Sequence, residues 1–232
     1  MKINIEYNEN IYRIDSDDGV DISIPVEFNK DKNPKFYDSS NPKMNYYKSS
    51  DMEYNIDKGA GCSVPLIRMN IHCSGTHTET ANHIIKNAPI ISDFENLNFI
   101  PAQLISITPE LNSNEAYHTD INQDDKVITK DQLLKSLATV DEFLDAVIIR
   151  TLPNDMKKKT RNYNSDNHPF LSNEAVYFLK SKGVKHILVD IPSIDKFDDG
   201  GKLKNHNIFF TNEDGAVNKN TITELVYIPN HC

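Results

Sequence analysis

The sequence has no run approaching the ~18 consecutive apolar residues that a membrane-crossing helix needs, which argues against a bilayer partner. No secretory leader is expected either, because Met1-Lys2-Ile3-Asn4-Ile5-Glu6-Tyr7 turns polar too soon to read as one. Cysteine is scarce: Cys62, Cys73 and Cys232 are odd in number and fit no disulfide framework. Together these absences predict a cytoplasmic protein with reduced thiols. Cys62 is expected to be a small buried side chain and Cys232 a terminal one. Positive charge is in short supply, with 25 Lys and Arg against 34 Asp and Glu and a formal net charge of −9. A polyanion is repelled on average, and no basic patch with interleaved aromatics occurs, so nucleic acid is not an expected partner. The densest basic run, Lys157-Lys158-Lys159, reads as a solvated loop. There is no Gly-x-Ser-x-Gly elbow, which disfavours a serine nucleophile. There is also no internal repeat and no clean linker. A chain of 232 residues then reads as one domain, long enough to bury ~70% of its unfolded surface.

What the sequence does contain is one dense stretch, from His72-Cys73-Ser74-Gly75-Thr76-His77 to Thr78-Glu79-Thr80-Ala81-Asn82-His83. Nowhere else do metal-binding and proton-transferring side chains crowd so closely. Cys73, His77, Glu79 and His83 occupy odd positions, and on an extended strand such positions share a face. Thiolate, imidazole and carboxylate are the groups that bind zinc and similar divalent ions. A single histidine on a strand is usually only a satisfied or exposed one; the set in register is what suggests a site. Gly75 marks a bend or a close approach.

Along the rest of the chain the spacing predicts an α/β domain with a mixed sheet and flanking helices. Residues 1–18 read as an edge strand or a lead-in, and Val20–Val26 as a short strand ending at Pro25. Residues 29–59 read as a long loop carrying Phe36, Tyr37, Tyr46, Tyr47 and Tyr54, either covering a substrate pocket or anchoring the loop. Strands are predicted over 64–72, 99–107, 146–151, 184–190 and 221–228. The loop over 112–125 is expected to leave His118 exposed. Thr129-Lys130-Asp131-Gln132 fits a capping box before the apolar face of Leu133, Leu134 and Leu137. Ser172 reads as the N-cap of a second helix and Gly183 as its C-terminal glycine. Strand, helix, strand in this order predicts a right-handed parallel crossover.

From Cys73 through Gly75-Thr76-His77, Glu79 and Ala81 to His83, the chain resembles the arylformamidase-like "cyclase" family of kynurenine formamidases and isatin hydrolases. The family signature is His-x-Gly-Thr-His-x-Asp-x-Pro-x-His. Asp21–Pro25, Ile149–Thr151, His168–Ser172, Gly183–Lys185 and Asp190–Asp195 resemble further family segments in the same order, so the likeness covers roughly residues 20–228. It implies a swivelling β/β/α fold, often dimeric, and a divalent metal. Carried over, the metal ligands are Cys73, His77 and Glu79, completed by His206 and Glu224, and His83 is the general acid/base. The gap from His206 to Glu224 is longer than usual for the family.

Three departures stand out: cysteine for the first histidine, glutamate for aspartate and alanine for proline. A thiolate ligand favours zinc over manganese. His72 lies one residue from the expected ligand; its strand parity is wrong, so it reads as a supporting or packing residue, with ligation the alternative. The expected activity is hydrolysis of a small aryl formamide or related aromatic amide by a homodimer. The rival readings are hydrolysis of a cyclic amide or lactone, and a metal- or ligand-binding relative without catalysis.

Overall fold

A computed structural model describes the chain except residues 8, 96–98, 139–143 and 166. The chain enters as an antiparallel hairpin of β1 (Lys2–Tyr7) and β2 (Asn10–Asp15). A second arm pairs β3 (Lys43–Tyr46) with a later strand, β6 (Pro65–Arg68); the small pair β4 (Lys48–Ser49) and β5 (Met52–Glu53) lies between them in sequence. Then come β7 (His77–Glu79), β8 (Ala102–Ile107), β9 (Val127–Ile128), α1 (Lys130–Ser136), β10 (Ala146–Thr151) and β11 (Phe170–Leu171). The chain finishes through α2 (Asn173–Ser181), β12 (His186–Val189), α3 (Lys204–Phe210) and β13 (Thr221–Glu224).

Five of these strands form the central sheet in the order β7-β13-β12-β10-β8. Strands β8, β10, β12 and β13 run parallel, and β7 lies antiparallel on the edge beside β13. The mixed sheet and α/β class follow the expectation. The parallel strands are apolar because helices cover them: Val147, Ile149, Ile187 and Val189 share one core with Leu133 of α1, Val176 and Leu179 of α2, and Phe209 and Phe210 of α3. The starts of α1 and α2 are made locally. Thr129 and Gln132 close a reciprocal capping box, and Ser172 accepts from Ala175 N at 2.9 Å. Gly183 takes φ +80, the left-handed value that glycine adopts at no steric cost. No helix among the described residues is long and apolar enough to cross a membrane.

Several local expectations give way to tertiary context. Residues 20–26 form no ladder; Tyr227 N donates to Ile22 O at 2.8 Å and Ile24 N donates to Thr76 Oγ1 at 2.8 Å, which ties the segment down singly. The long loop over 29–59 contains β3, β4 and β5. Lys158 is buried, not solvated, with its ammonium 2.7 Å from Asp190 and 2.9 Å from Thr151 Oγ1. Cys62 is exposed, because Gly61 to Arg68 all face solvent on the arm. His118 is largely covered and holds Asp199 O at 2.9 Å.

Candidate metal centre

The dense stretch is not one extended strand. Ile71–Cys73 is a turn of 3-10 helix, β7 spans only His77–Glu79, and Ala81–His83 is a second 3-10 turn. Parity therefore holds where the strand exists: His77 and Glu79 are buried on one side and Thr78 between them is exposed. It fails at Cys73, which the first turn carries out of register. Gly75 permits the close passage, since a Cβ there would meet Val26 Cγ2 at 3.0 Å. The Thr76 hydroxyl fastens the crossing by donating to Leu225 O while it accepts from Ile24 N.

The main sheet delivers the other donors. Glu224 ends β13, directly paired in register with His77 of β7. His206 comes from α3, and the Asp190–Asp195 loop after β12 holds it in place. Glu79 is the shared point. Its Oε1 lies 3.2 Å from His77 Nε2 and 2.6 Å from His72 Nδ1, and its Oε2 lies 3.0 Å from His206 Nε2. Glu224 stands 3.6 Å from His77 Nε2 and 3.6 Å from His206 Nε2. Two donor groups result, His72–His77–Glu79 and Glu79–His206–Glu224, each with its donor atoms within 4.8 Å of one another.

The surroundings prepare these donors for a cation. His77 Nδ1 donates to Gly75 O at 3.0 Å and His206 Nδ1 to Asp195 Oδ2 at 2.6 Å. That orients both rings with Nε2 facing the site, so that loss of the Nε2 proton leaves a lone pair there, the usual support for a metal-bound imidazole. Asp195 is itself held by Tyr117 OH at 2.8 Å and Asn205 N at 2.9 Å. Among the described residues no lysine or arginine pairs with Glu79, Glu224 or Asp195. Buried carboxylates without a fixed cation are costly unless protons or a metal compensate them. The residues present thus fit a divalent ion.

The proton load tells the same story. Burial alone would lower the pKa of His77, but the neighbouring carboxylates of Glu224, 3.6 Å away, and Glu79, hydrogen-bonded at 3.2 Å, overcome it and raise it to about 10. His206 is likewise held well above its usual value against its own burial, by Asp195 and Glu79. Glu79 stays ionised despite burial because His206, His72 and His77 contact it. Glu224 is pushed up by burial and by the charge on Glu79. His83 is different. Burial lowers its pKa, so it is neutral at neutral pH, and its Nε2 sits 3.7 Å from Glu79 Oε1.

Of the residues singled out from sequence, His77, Glu79, His206 and Glu224 come together, with His83 at their edge. Cys73 lines the same cleft, but its thiol belongs to neither donor group. It packs instead with Ile24, Phe36, Tyr163, Leu225 and Tyr227. His72, disfavoured on strand parity, stands among the donors because no strand runs through it. From sequence alone Asp195 carries no role; the fold links it to His206. The cleft above the donors has a volume of about 510 Å³. Phe36, Tyr37 and Phe197 wall it, with Tyr37 and Phe197 stacked at 5.2 Å and the Tyr37 hydroxyl 3.3 Å from Phe197 O. Burial raises the Tyr37 pKa to about 12, so the phenol stays neutral. Tyr47 and Tyr54 pair with each other on the arm, at 5.7 Å.

The family model described as "Putative cyclase" matches residues 20–196, and the chain belongs to this Cyclase family. That match ends before His206 and Glu224, which the fold brings to the site. A kynurenine formamidase of Bacillus cytotoxicus is 26% identical over 154 residues, 66% of this chain. The matched segment spans 63% of that relative's length. The fold is similar to isatin hydrolase A from Ralstonia solanacearum, with a TM-score of 0.59, 16% identity, and coverage of 90% of this chain and 81% of that one. It is also similar to isatin hydrolase A from Labrenzia aggregata, with a TM-score of 0.56, 14% identity, and coverage of 100% and 82%.

Proposed function

We propose that this chain is a metal-dependent hydrolase that cleaves a small aryl formamide or a related aromatic amide. The observation that carries this reading is the pair of donor groups that share Glu79, His72–His77–Glu79 and Glu79–His206–Glu224, with the Nε2 atoms of His77 and His206 turned to its two oxygens. A divalent ion held there supplies a water acidified to a pKa of ~7 and a positive charge for the carbonyl oxygen. His83, neutral and at the edge of the donors, takes a proton at a ring nitrogen and returns it to the departing nitrogen. Asp195 and Gly75 O keep His206 and His77 in the ligating tautomer throughout. The aromatic wall of Phe36, Tyr37 and Phe197 gives a planar ring a surface to lie on.

A cyclic amide or lactone is the second substrate class, supported by the fold likeness to isatin hydrolases. Zinc and manganese both suit nitrogen and oxygen donors; with the Cys73 thiol outside both groups, no soft ligand selects zinc over manganese.

The test is elemental analysis of protein purified without chelator, followed by a panel of aryl formamides, cyclic amides and lactones. The expected result is bound zinc or manganese and hydrolysis of an aryl formamide, with both lost in His77→Ala and Glu79→Ala. Full activity in either variant would sink the site. Metal without turnover on any panel member would favour a binding relative without catalysis.

A further inference from the structure

The family signature places the first metal ligand at position 73, and a thiol stands there. We infer that the ligand has moved back by one residue: His72, not Cys73, completes an outer metal position with His77 and Glu79. The inference rests on the metal-centre reading and goes on to assign one of its ligands.

The reason is backbone geometry. Asn70 leads into the 3-10 turn over Ile71–Cys73, which sends neighbouring side chains in different directions instead of alternating them across a sheet. Cys73 lines the cleft wall, 5% exposed and packed in the apolar cluster with Ile24, Phe36 and Leu225, and its thiol belongs to neither donor group. His72 turns to the donors. Its ring stacks on His83 at 4.2 Å with planes 30° apart, and its Nδ1 reaches within 2.6 Å of Glu79 Oε1. The His72 ring also meets that of His77 edge-on at 5.0 Å. Three donor atoms of the right kinds thus converge, and sulfur is not among them.

The two positions differ in enclosure. The inner set, Glu79, His206 and Glu224, has side chains 2%, 2% and 4% exposed. In the outer set His77 and Glu79 are equally enclosed, but the His72 side chain is 44% exposed. Glu79 joins the two, with Oε1 turned to the outer set and Oε2 to the inner. An ion at the outer position therefore has a solvent route along His72 and exchanges faster than an ion at the inner one. Its ligands are nitrogen and oxygen only.

Cobalt(II) alone is the probe. Apoprotein is titrated with Co²⁺ by equilibrium dialysis, and its absorption spectrum is recorded in the wild type, Cys73→Ala and His72→Asn. The expected wild type binds two ions per chain and shows no thiolate-to-cobalt charge-transfer band. Cys73→Ala keeps both ions and the same spectrum. His72→Asn, a change at a half-exposed position, keeps its circular dichroism, loses the faster-exchanging ion and retains the other. A charge-transfer band that disappears in Cys73→Ala would overturn the assignment, as would His72→Asn holding both ions as the wild type does. Should Cys73→Ala fail to fold, the wild-type spectrum alone decides whether sulfur ligates. A wild type that binds no Co²⁺ at all would overturn the metal centre itself, which separates the two failures.

Discussion

Three imidazoles meet Glu79 Oε1 at distances of 2.6, 3.2 and 3.7 Å, from His72, His77 and His83. They do different work because their surroundings differ. His77 is enclosed between two carboxylates and keeps its charge until an ion replaces the proton. His83 loses its charge to burial, and only Glu79 opposes that. A neutral imidazole beside the reacting groups can act as base and then acid, a role worth roughly 10²–10⁴ in rate. His83→Ala is therefore expected to retain the bound metal and lower turnover by a factor in that range, read as kcat against metal content on the same sample. Unchanged turnover would take the proton-transfer role from His83.

At the scale of single elements, the helix starts show what a short window of sequence can specify. Thr129 with Gln132, and Ser172 with its helix, are correct from sequence because a cap is made within four residues. Ser172 also donates to Glu115 Oε2 at 2.5 Å while wholly buried. Ser172→Ala removes the cap and leaves that carboxylate one donor short, so a loss of about 1–2 kcal/mol is expected. Urea unfolding at constant m-value measures it; a midpoint equal to wild type would refute the cap's contribution. The site stretch reads less completely for the same physical reason. His77 and Glu79 fall on one face because three residues there pair with β13. Positions 72 and 73 lie in a turn, whose side-chain directions depend on where Gly75 passes Val26, a contact 49 residues away in sequence that no local window contains. Lys158 eludes sequence in the same way: its partners Asp190 and Thr151 are brought to it by β12 and β10. His206 and Glu224 are legible only through family resemblance, since β13 meets β7 through the sheet order and His206 reaches Glu79 from α3, neither through spacing.

For the whole molecule, the centre couples stability to metal and to protons. The apoprotein closes its sheet edge over Glu79, Glu224 and Asp195 and relies on imidazolium protons to balance them. The His77 pKa, raised to about 10 in the fold from 6.5, makes its proton a stabilising ligand of the native state. That contribution is fully present below about pH 6.5 and fades as pH climbs toward about 10. The lowered pKa of Glu79 works in the other sense, stabilising above about pH 4.5 and weakening as acid protonates it. A metal ion occupies the lone pairs that the protons held, so its affinity rises as pH rises. Zinc or manganese at about 100 times its Kd should add roughly 2.7 kcal/mol to native stability. The melting-temperature gap between metal-loaded and chelated protein should then be wider near pH 8 than near pH 6, because the chelated form weakens with rising pH while metal binding strengthens. Calorimetry at the two pH values reads both terms directly. A gap that stays constant or narrows toward alkaline pH would mean that protons and metal do not compete for His77, and the donor assignment at the centre of the fold would have to be redrawn.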